Sequence, residues 1–119
     1  MELEVKEKVM LEDGKHEGKI ERIEYREEPF KYTDIYIKEN KTGFELKFGC
    51  PTNLSVDSKL GKLISKFIEI KAGQKIDPEK VLKGKGVLFM TMQEESGDGK
   101  VYTRIVDGSV KPLVINENV

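Results

Sequence analysis

The chain has 119 residues, 36% of them charged, and a formal net charge of −1, which is enough for one domain with one hydrophobic core and too few for two. It contains one cysteine, Cys50, and one histidine, His16, so an internal disulfide is excluded and no metal site of clustered His and Cys ligands is expected. No apolar run reaches 18 residues, and we expect a cytoplasmic protein without a membrane-spanning segment.

A turn signal divides the first residues from the rest of the chain. Residues 1–12 are acidic and weakly patterned, and Asp13-Gly14 follows them. We expect an N-terminal extension over 1–12, one folded domain over 13–112 and a C-terminal tail over 113–119.

Three strand patterns come first. In the first, from His16 to Arg26, Ile20 and Ile23 lie three positions apart, a spacing that strict alternation forbids, so a β-bulge is predicted between them. Proline at position 29 lies in the connection to the second strand. The second and third strands alternate regularly around a turn over 40–43, and this alternation predicts the inward residues Ile35, Ile37, Leu46 and Phe48.

An amphipathic helix is predicted from about Ser55 to Phe67, with Ser55 as its N-cap. Apolar residues recur along it with a period near 3.6, at Val56, Leu60, Leu63, Ile64, Phe67 and Ile68. A second, short helical turn is predicted at Asp77-Pro78, where a capping side chain precedes a proline, and it should end at Gly84.

Two further strands complete the pattern. The run from Val87 to Met92 is almost continuously apolar, which predicts a strand buried on both faces. A hairpin loop is predicted over 94–100 and the last strand over 101–106.

This order of elements is that of an OB-fold, a partly open barrel that often binds oligonucleotides or oligosaccharides. We therefore predict a mainly β protein, a five-stranded OB-fold barrel with one α-helix between strands 3 and 4. Its core is expected to contain Ile20, Ile23, Ile35, Ile37, Leu46, Phe48, Leu60, Leu63, Ile64, Phe67, Val87 and Phe89.

No set of residues predicts catalysis. A nucleophilic site would have to use His16 or Cys50, and neither has the local context of such sites. His16 is predicted on the surface and Cys50 as a small packed residue. Gly84 and Gly86 precede a strand rather than a helix, so they form no phosphate-binding loop. We expect a protein that is not an enzyme and uses no metal or cofactor.

Aromatic and basic residues alternate where an OB-fold usually binds its ligand, on strands 2 and 3 and the adjacent loops. Single-stranded nucleic acid is held by aromatic rings that stack on bases and by cations that contact phosphates. The predicted nucleic-acid-binding residues are Phe30, Lys31, Tyr32, Tyr36, Lys38, Lys47, Tyr102 and Arg104. The alternative is that Phe30 and Tyr32 cap the end of the core and the lysines only solvate it.

Positive charge is concentrated in residues 59–85, which carry eight lysines and three acidic residues, a net charge of +5. This segment indicates either a basic binding face or lysines that solvate the polar side of an amphipathic helix.

Four segments carry a resemblance to known proteins: DGKHEGKI at 13–20, SKLGKL at 58–63, VLKGK at 81–85 and the Arg104-Ile105 end of the last hairpin. Over roughly residues 10–112 the chain resembles small OB-fold proteins of phages and archaea. Several of these bind single-stranded DNA or act near DNA replication and recombination. The chain lacks the tryptophan and the acidic, glycine-rich tail of well-studied bacterial single-stranded DNA-binding proteins.

The predicted function is therefore non-enzymatic binding of single-stranded DNA or RNA, DNA in the first instance, with little sequence preference. The resemblance implies replication or recombination proteins as further partners. The alternative is a protein–protein adaptor or assembly subunit of the same fold without nucleic-acid binding. The near-neutral net charge and the nine aromatic residues favour the alternative, whereas the lysine-rich segment favours binding.

Overall fold

A computed structural model describes residues 1–4 and 11–113. Over these residues the protein is mainly β, as predicted. In chain order the elements are β1 Gly14–Arg26, β2 Tyr32–Glu39, β3 Glu45–Pro51, α1 Lys59–Ser65, α2 Pro78–Leu82, β4 Gly86–Glu95, β5 Val101–Ile105 and β6 Lys111–Pro112. No helix within this part of the chain is long and apolar enough to cross a membrane.

All of these strands belong to one antiparallel sheet, with hydrogen-bonded neighbours in the order β3-β2-β1-β4-β5 and with β6 paired to β4. Strand β1 is central because it is long enough to pair twice, over 14–19 with β4 and over 18–26 with β2. The edge strands β3 and β5 approach within 8 Å between Cα atoms. No ladder joins them within the described residues, so the sheet is not closed.

The predicted β-bulge in β1 is confirmed. The register between β1 and β2 shifts between Ile20 and Arg22, and Glu21 has no partner in the ladder. Ile20 therefore pairs with Ile37, Ile23 pairs with Ile35, and all four isoleucines are buried. The extra residue also turns Arg22 to the outward face, where it lies opposite Tyr36.

The predicted core is confirmed, with Phe67 partly buried against it and the other predicted residues buried. Burial of each large apolar side chain of this kind stabilises a fold by about 1.5–3 kcal/mol. Five residues outside the predicted set complete the cluster: Leu11, Cys50, Leu82, Ile105 and Val110. Leu11 precedes the expected domain start at residue 13, while 5–10 and 114–119 lie outside the described residues.

The first helix is shorter than predicted, and its N-cap is Ser58 rather than Ser55. Ser58 Oγ accepts a hydrogen bond from the Gly61 amide at 2.9 Å. The Ser55 carbonyl instead accepts from the Ser58 amide at 3.0 Å, which folds the preceding chain back over the first turn of α1. Only glycine fits at position 61, since a Cβ there would lie 1.9 Å from the Ser55 carbonyl oxygen. Val56 is consequently outside the helix and 58% exposed.

The short second helix begins as predicted. Asp77 is its N-cap and accepts from the Glu79 amide at 3.0 Å, and Pro78 occupies the first helical position. Gly84 follows the helix with a positive φ of 84°, a conformation that favours glycine.

The prediction that β4 is buried on both faces is wrong. Val87, Phe89 and Thr91 are buried, whereas Met90 and Met92 are exposed. The core covers one side of β4, so its residues alternate between inside and outside. The methionines on the outward side made the apolar run look continuous.

Candidate functional site

The outward face of β1, β2 and β3, called the β1–β3 face below, carries four of the eight predicted binding residues, Tyr32, Tyr36, Lys38 and Lys47. Ile35 and Ile37 are fully buried, so Tyr36 and Lys38 point outward, as predicted. The ladder places Tyr36 between Arg22 on β1 and Lys47 on β3. The face is therefore a row of cation, ring and cation across three strands.

Arg22 covers the ring of Tyr36. The Arg22 Cζ atom lies 3.8 Å from the Tyr36 ring centroid, a separation typical of stacked planar groups. Arg22 Nε donates to Glu24 Oε1 at 3.1 Å, and Nη1 donates to Glu45 Oε2 at 2.7 Å. These hydrogen bonds raise the pKa of Arg22, Glu45 first and then Glu24. Burial, and then the nearby Glu24 charge, raise the pKa of Tyr36 above its ordinary value.

A second arginine and tyrosine lie at the end of the same face. The Arg26 Cζ atom is 5.2 Å from the ring centroid of Tyr32, which is half-buried. Arg26 also binds the buried carboxylate of Asp34. This arginine is thus held by contacts within the protein.

Lys38 and Lys47 contribute exposed positive charge to the β1–β3 face. Both are exposed, and neither makes an ion pair or a side-chain hydrogen bond within the described residues. Lys38 lies opposite Lys19 on one side and Glu45 on the other. Exposed ammonium groups beside a stacked arginine and tyrosine are suited to contact the phosphates of a strand whose bases stack on that pair.

Phe30 and Lys31 lie in the connection between β1 and β2, next to Tyr32. Phe30 is 71% exposed, so its ring does not cap the core. Lys31 is exposed as well. The alternative in which this loop closes the end of the core is wrong for Phe30, because the ring faces solvent.

Tyr102 and Arg104 lie on β5, at the other end of the hydrogen-bonded path of strands. Arg104 Nη1 donates to Glu94 Oε2 at 2.9 Å, and Nη2 lies 3.5 Å from Asp107 Oδ2. Tyr102 is exposed and lies opposite Glu94. In the described part of the chain, no hydrogen bond, ion pair or ring contact joins these two residues to the β1–β3 face.

The lysine-rich segment has a largely structural role where it meets the sheet. Lys59 Nζ donates to the Gly49 carbonyl at 3.0 Å, lies 3.1 Å from Asp107 Oδ1 and sits 4.5 Å from the Phe48 ring centroid. Lys66 Nζ donates to the carbonyls of Gly108 at 2.8 Å and Val110 at 3.0 Å. Burial, and then the charge of Lys111, lower the pKa of Lys66.

These two lysines line a groove of about 340 Å³, whose walls are Phe48, Lys59, Lys62, Leu63, Lys66, Asp107, Gly108 and Val110. Lys62 also lines this groove, but its ammonium group makes no ion pair or hydrogen bond within the described residues. Lys59 and Lys66 on and beside α1 therefore bind β3 and the segment after β5. Their main role is to stabilise this packing rather than to form an exposed basic face.

Sequence reasoning missed Arg22 and Arg26, although the signal that places them was available. A bulge that returns Ile23 to the core also turns the neighbouring Arg22 and Glu24 outward. The residues that a bulge in β1 turns outward are therefore candidate binding residues, as are the outward residues of β2 and β3.

His16 and Cys50 lie on different strands, β1 and β3, which are not neighbours in the sheet. His16 is half-buried rather than on the surface, because β1 turns it inward to within 5.8 Å of the Phe89 ring centroid. Cys50 is fully buried, as predicted, and burial raises the pKa of its thiol to about 11. Within residues 1–4 and 11–113, no group of three His, Cys, Asp or Glu side chains is placed to hold a metal ion.

No model of a known protein family matches this chain, and no curated protein matches it. Function is therefore inferred from the strand order and from the chemistry of the β1–β3 face.

Proposed function

We propose that this chain is an OB-fold module that binds single-stranded nucleic acid, DNA in the first instance, with little sequence preference. The strand order β3-β2-β1-β4-β5, the position of α1 between β3 and β4, and the approach of β3 to β5 within 8 Å support the OB-fold assignment. In this proposal β6 is an addition to the five strands of the barrel.

The observation that carries the binding proposal is the cross-strand row of Arg22, Tyr36 and Lys47. A guanidinium stacked on a ring offers a flat surface to a base, and the exposed ammonium groups of Lys38 and Lys47 lie next to it. The contacts with bases would come from stacking, which tolerates any sequence because every base has a π face.

Few phosphates would be neutralised, because both arginines of the face are already paired with carboxylates. The exposed cations at this face that make no ion pair within the described residues are Lys19, Lys31, Lys38 and Lys47. Four phosphate contacts to a single strand give a slope of roughly −3 for log K against log salt. Binding by this face should therefore be moderately, not steeply, dependent on salt.

A fluorescence anisotropy titration tests the proposal. Labelled oligo(dT) and oligo(U) are titrated with the full chain at about 50 and about 200 mM salt. We expect association at the lower salt and a loss of about 50-fold in affinity at the higher salt. No detectable association with either strand at about 50 mM salt would contradict the proposal.

The second candidate function is an adaptor that contacts another protein. Its support is an exposed apolar strip on the outward side of the β4–β5 hairpin, formed by Met90, Met92 and Tyr102. Exposed apolar patches mark protein contacts when they are contiguous and have a polar rim. Absence of strand binding together with self-association in native mass spectrometry would favour this function.

A further inference from the structure

Arg22 is held so that one side of its guanidinium plane is open. The Nε and Nη1 donors lie in that plane and are occupied by Glu24 and Glu45. One face of the plane covers Tyr36 at 3.8 Å from the ring centroid. The side chain is nevertheless 43% exposed, so the opposite face is turned to solvent.

The surroundings of Arg22 disfavour a phosphate at this position. Glu24 and Glu45 occupy two of the five N–H donors of the guanidinium, and a phosphate on the remaining donors would lie close to two carboxylates that repel it. A base makes no such demand, because it stacks on the open face without displacing either hydrogen bond.

We propose that the open face of the Arg22 guanidinium, rather than the ring of Tyr36, is the surface on which one base of the bound strand stacks. Glu24 and Glu45 are then positioning residues that hold the plane over Tyr36, and Tyr36 supports it from below. The inference rests on the proposed function, and it assigns a base, rather than a phosphate, to the position of Arg22. Phosphates are assigned to Lys38 and Lys47, which have no carboxylate partner among the described residues.

The test compares oligo(dT) with an abasic strand of the same length, which keeps the phosphates and lacks the bases. Arg22→Lys keeps the positive charge and removes the planar group. We expect it to weaken binding of oligo(dT) by roughly tenfold and to leave binding of the abasic strand nearly unchanged. Lys38→Gln is the comparison variant, and it should weaken binding of both strands equally.

Glu45→Gln tests the positioning role. We expect Glu45→Gln to weaken the binding of oligo(dT) more than the binding of the abasic strand. Without the Glu45 carboxylate, the Arg22 guanidinium is no longer held flat on Tyr36. If Arg22 instead contacts a phosphate, release from Glu45 should strengthen binding of both strands and steepen the salt dependence.

Three further outcomes would overturn the inference. Equal weakening of both strands by Arg22→Lys would make Arg22 a phosphate contact, and unchanged binding of both would remove it from the site. In either case a wild-type chain that binds oligo(dT) leaves the proposed function standing. A wild-type chain that binds neither strand overturns the proposed function and the inference together. Circular dichroism of each variant checks that it is folded.

Discussion

Arg26 holds the carboxylate of Asp34, which is 1% exposed, through two hydrogen bonds of 2.5 Å from Nε to Oδ2 and 3.1 Å from Nη2 to Oδ1. Asp34 lies opposite Gly49 in the ladder, and a Cβ at Gly49 would lie 3.0 Å from Asp34 Oδ1. The small residue on β3 thus makes room for the carboxylate on β2. A two-point arginine–carboxylate pair of this geometry also fixes the end of the β1–β3 face on which Tyr32 lies.

The first prediction is that removing Arg26 lowers the stability of the fold more than neutralising Asp34 does. Arg26→Met keeps an apolar cover of similar length over Asp34 and leaves the buried carboxylate without its charge partner. Asp34→Asn leaves an arginine that can be solvated. We expect the Tm of Arg26→Met to fall by about 5 °C or more, and by clearly more than that of Asp34→Asn. Thermal melts of both variants and of the double variant check this, and equal losses in the two single variants would contradict it.

The second prediction concerns Lys59, which links β3 to the segment after β5 through Gly49 and Asp107. Lys59→Met should lower the free energy of unfolding by about 1 kcal/mol, since the Gly49 carbonyl loses its side-chain donor. It should also speed hydrogen exchange along β3. Lys62→Met is the matched control on the same helix, and denaturant unfolding should show almost no change for it. Similar losses of unfolding free energy in both variants would mean that the contacts of Lys59 do not contribute to stability.

The third prediction tests the core at α1. Leu63 is 4% exposed, so Leu63→Ala should cost about 2–5 kcal/mol in the free energy of unfolding. Val56 was predicted on the same apolar stripe but is 58% exposed. Val56→Ala should therefore change the free energy by less than about 0.5 kcal/mol. Urea unfolding measures both, and comparable losses would show that the segment before Ser58 packs on the core.

The β1–β3 sheet could be predicted because its signals are local. Alternation in Ile35, Tyr36 and Ile37 decides which side chains point outward, since a slip of one residue would bury the tyrosine and expose both isoleucines. The three-residue spacing of Ile20 and Ile23 likewise has one simple explanation, a bulge. The alternation of β2, together with that of Leu46 and Phe48 in β3, predicts that Tyr36, Lys38 and Lys47 share one face.

The errors arise where particular contacts, rather than the pattern of residue types along the chain, decide the outcome. Ser55 and Ser58 are equally good caps by type, and the close approach of Gly61 to the Ser55 carbonyl selects Ser58. The pairing of Lys66 with the Gly108 and Val110 carbonyls joins residues more than 40 positions apart, so no local pattern indicates it. The two-residue strand β6 is too short to show any periodicity.

The fourth prediction concerns the thiol of Cys50, whose pKa is raised to about 11 by burial. Because the thiolate is the reactive form, this raised pKa leaves about a hundredfold less thiolate at pH 8 in the native protein than in the unfolded chain. We expect a thiol reagent to modify the native protein at least that much more slowly than the urea-unfolded protein. The folded state binds the extra proton, so this group's contribution to stability is present below pH 9 and is lost as the pH rises through about 11. Rapid modification of the native chain would contradict the burial of Cys50.

The last prediction separates stacking from charge on the β1–β3 face. Tyr36 is half-buried and outward, so Tyr36→Ala should leave the domain folded and weaken strand binding by about 1–3 kcal/mol, with the salt slope unchanged. Lys47→Ala removes one phosphate contact and should flatten the slope by about one. Lys80→Ala, on α2, is the charge-matched control and should leave the slope as it is in the wild-type chain. Titrations at three salt concentrations measure all of these slopes. An unfolded Tyr36→Ala variant would mean that the ring belongs to the core, and a folded variant with wild-type affinity would mean that strands bind on another surface of the molecule.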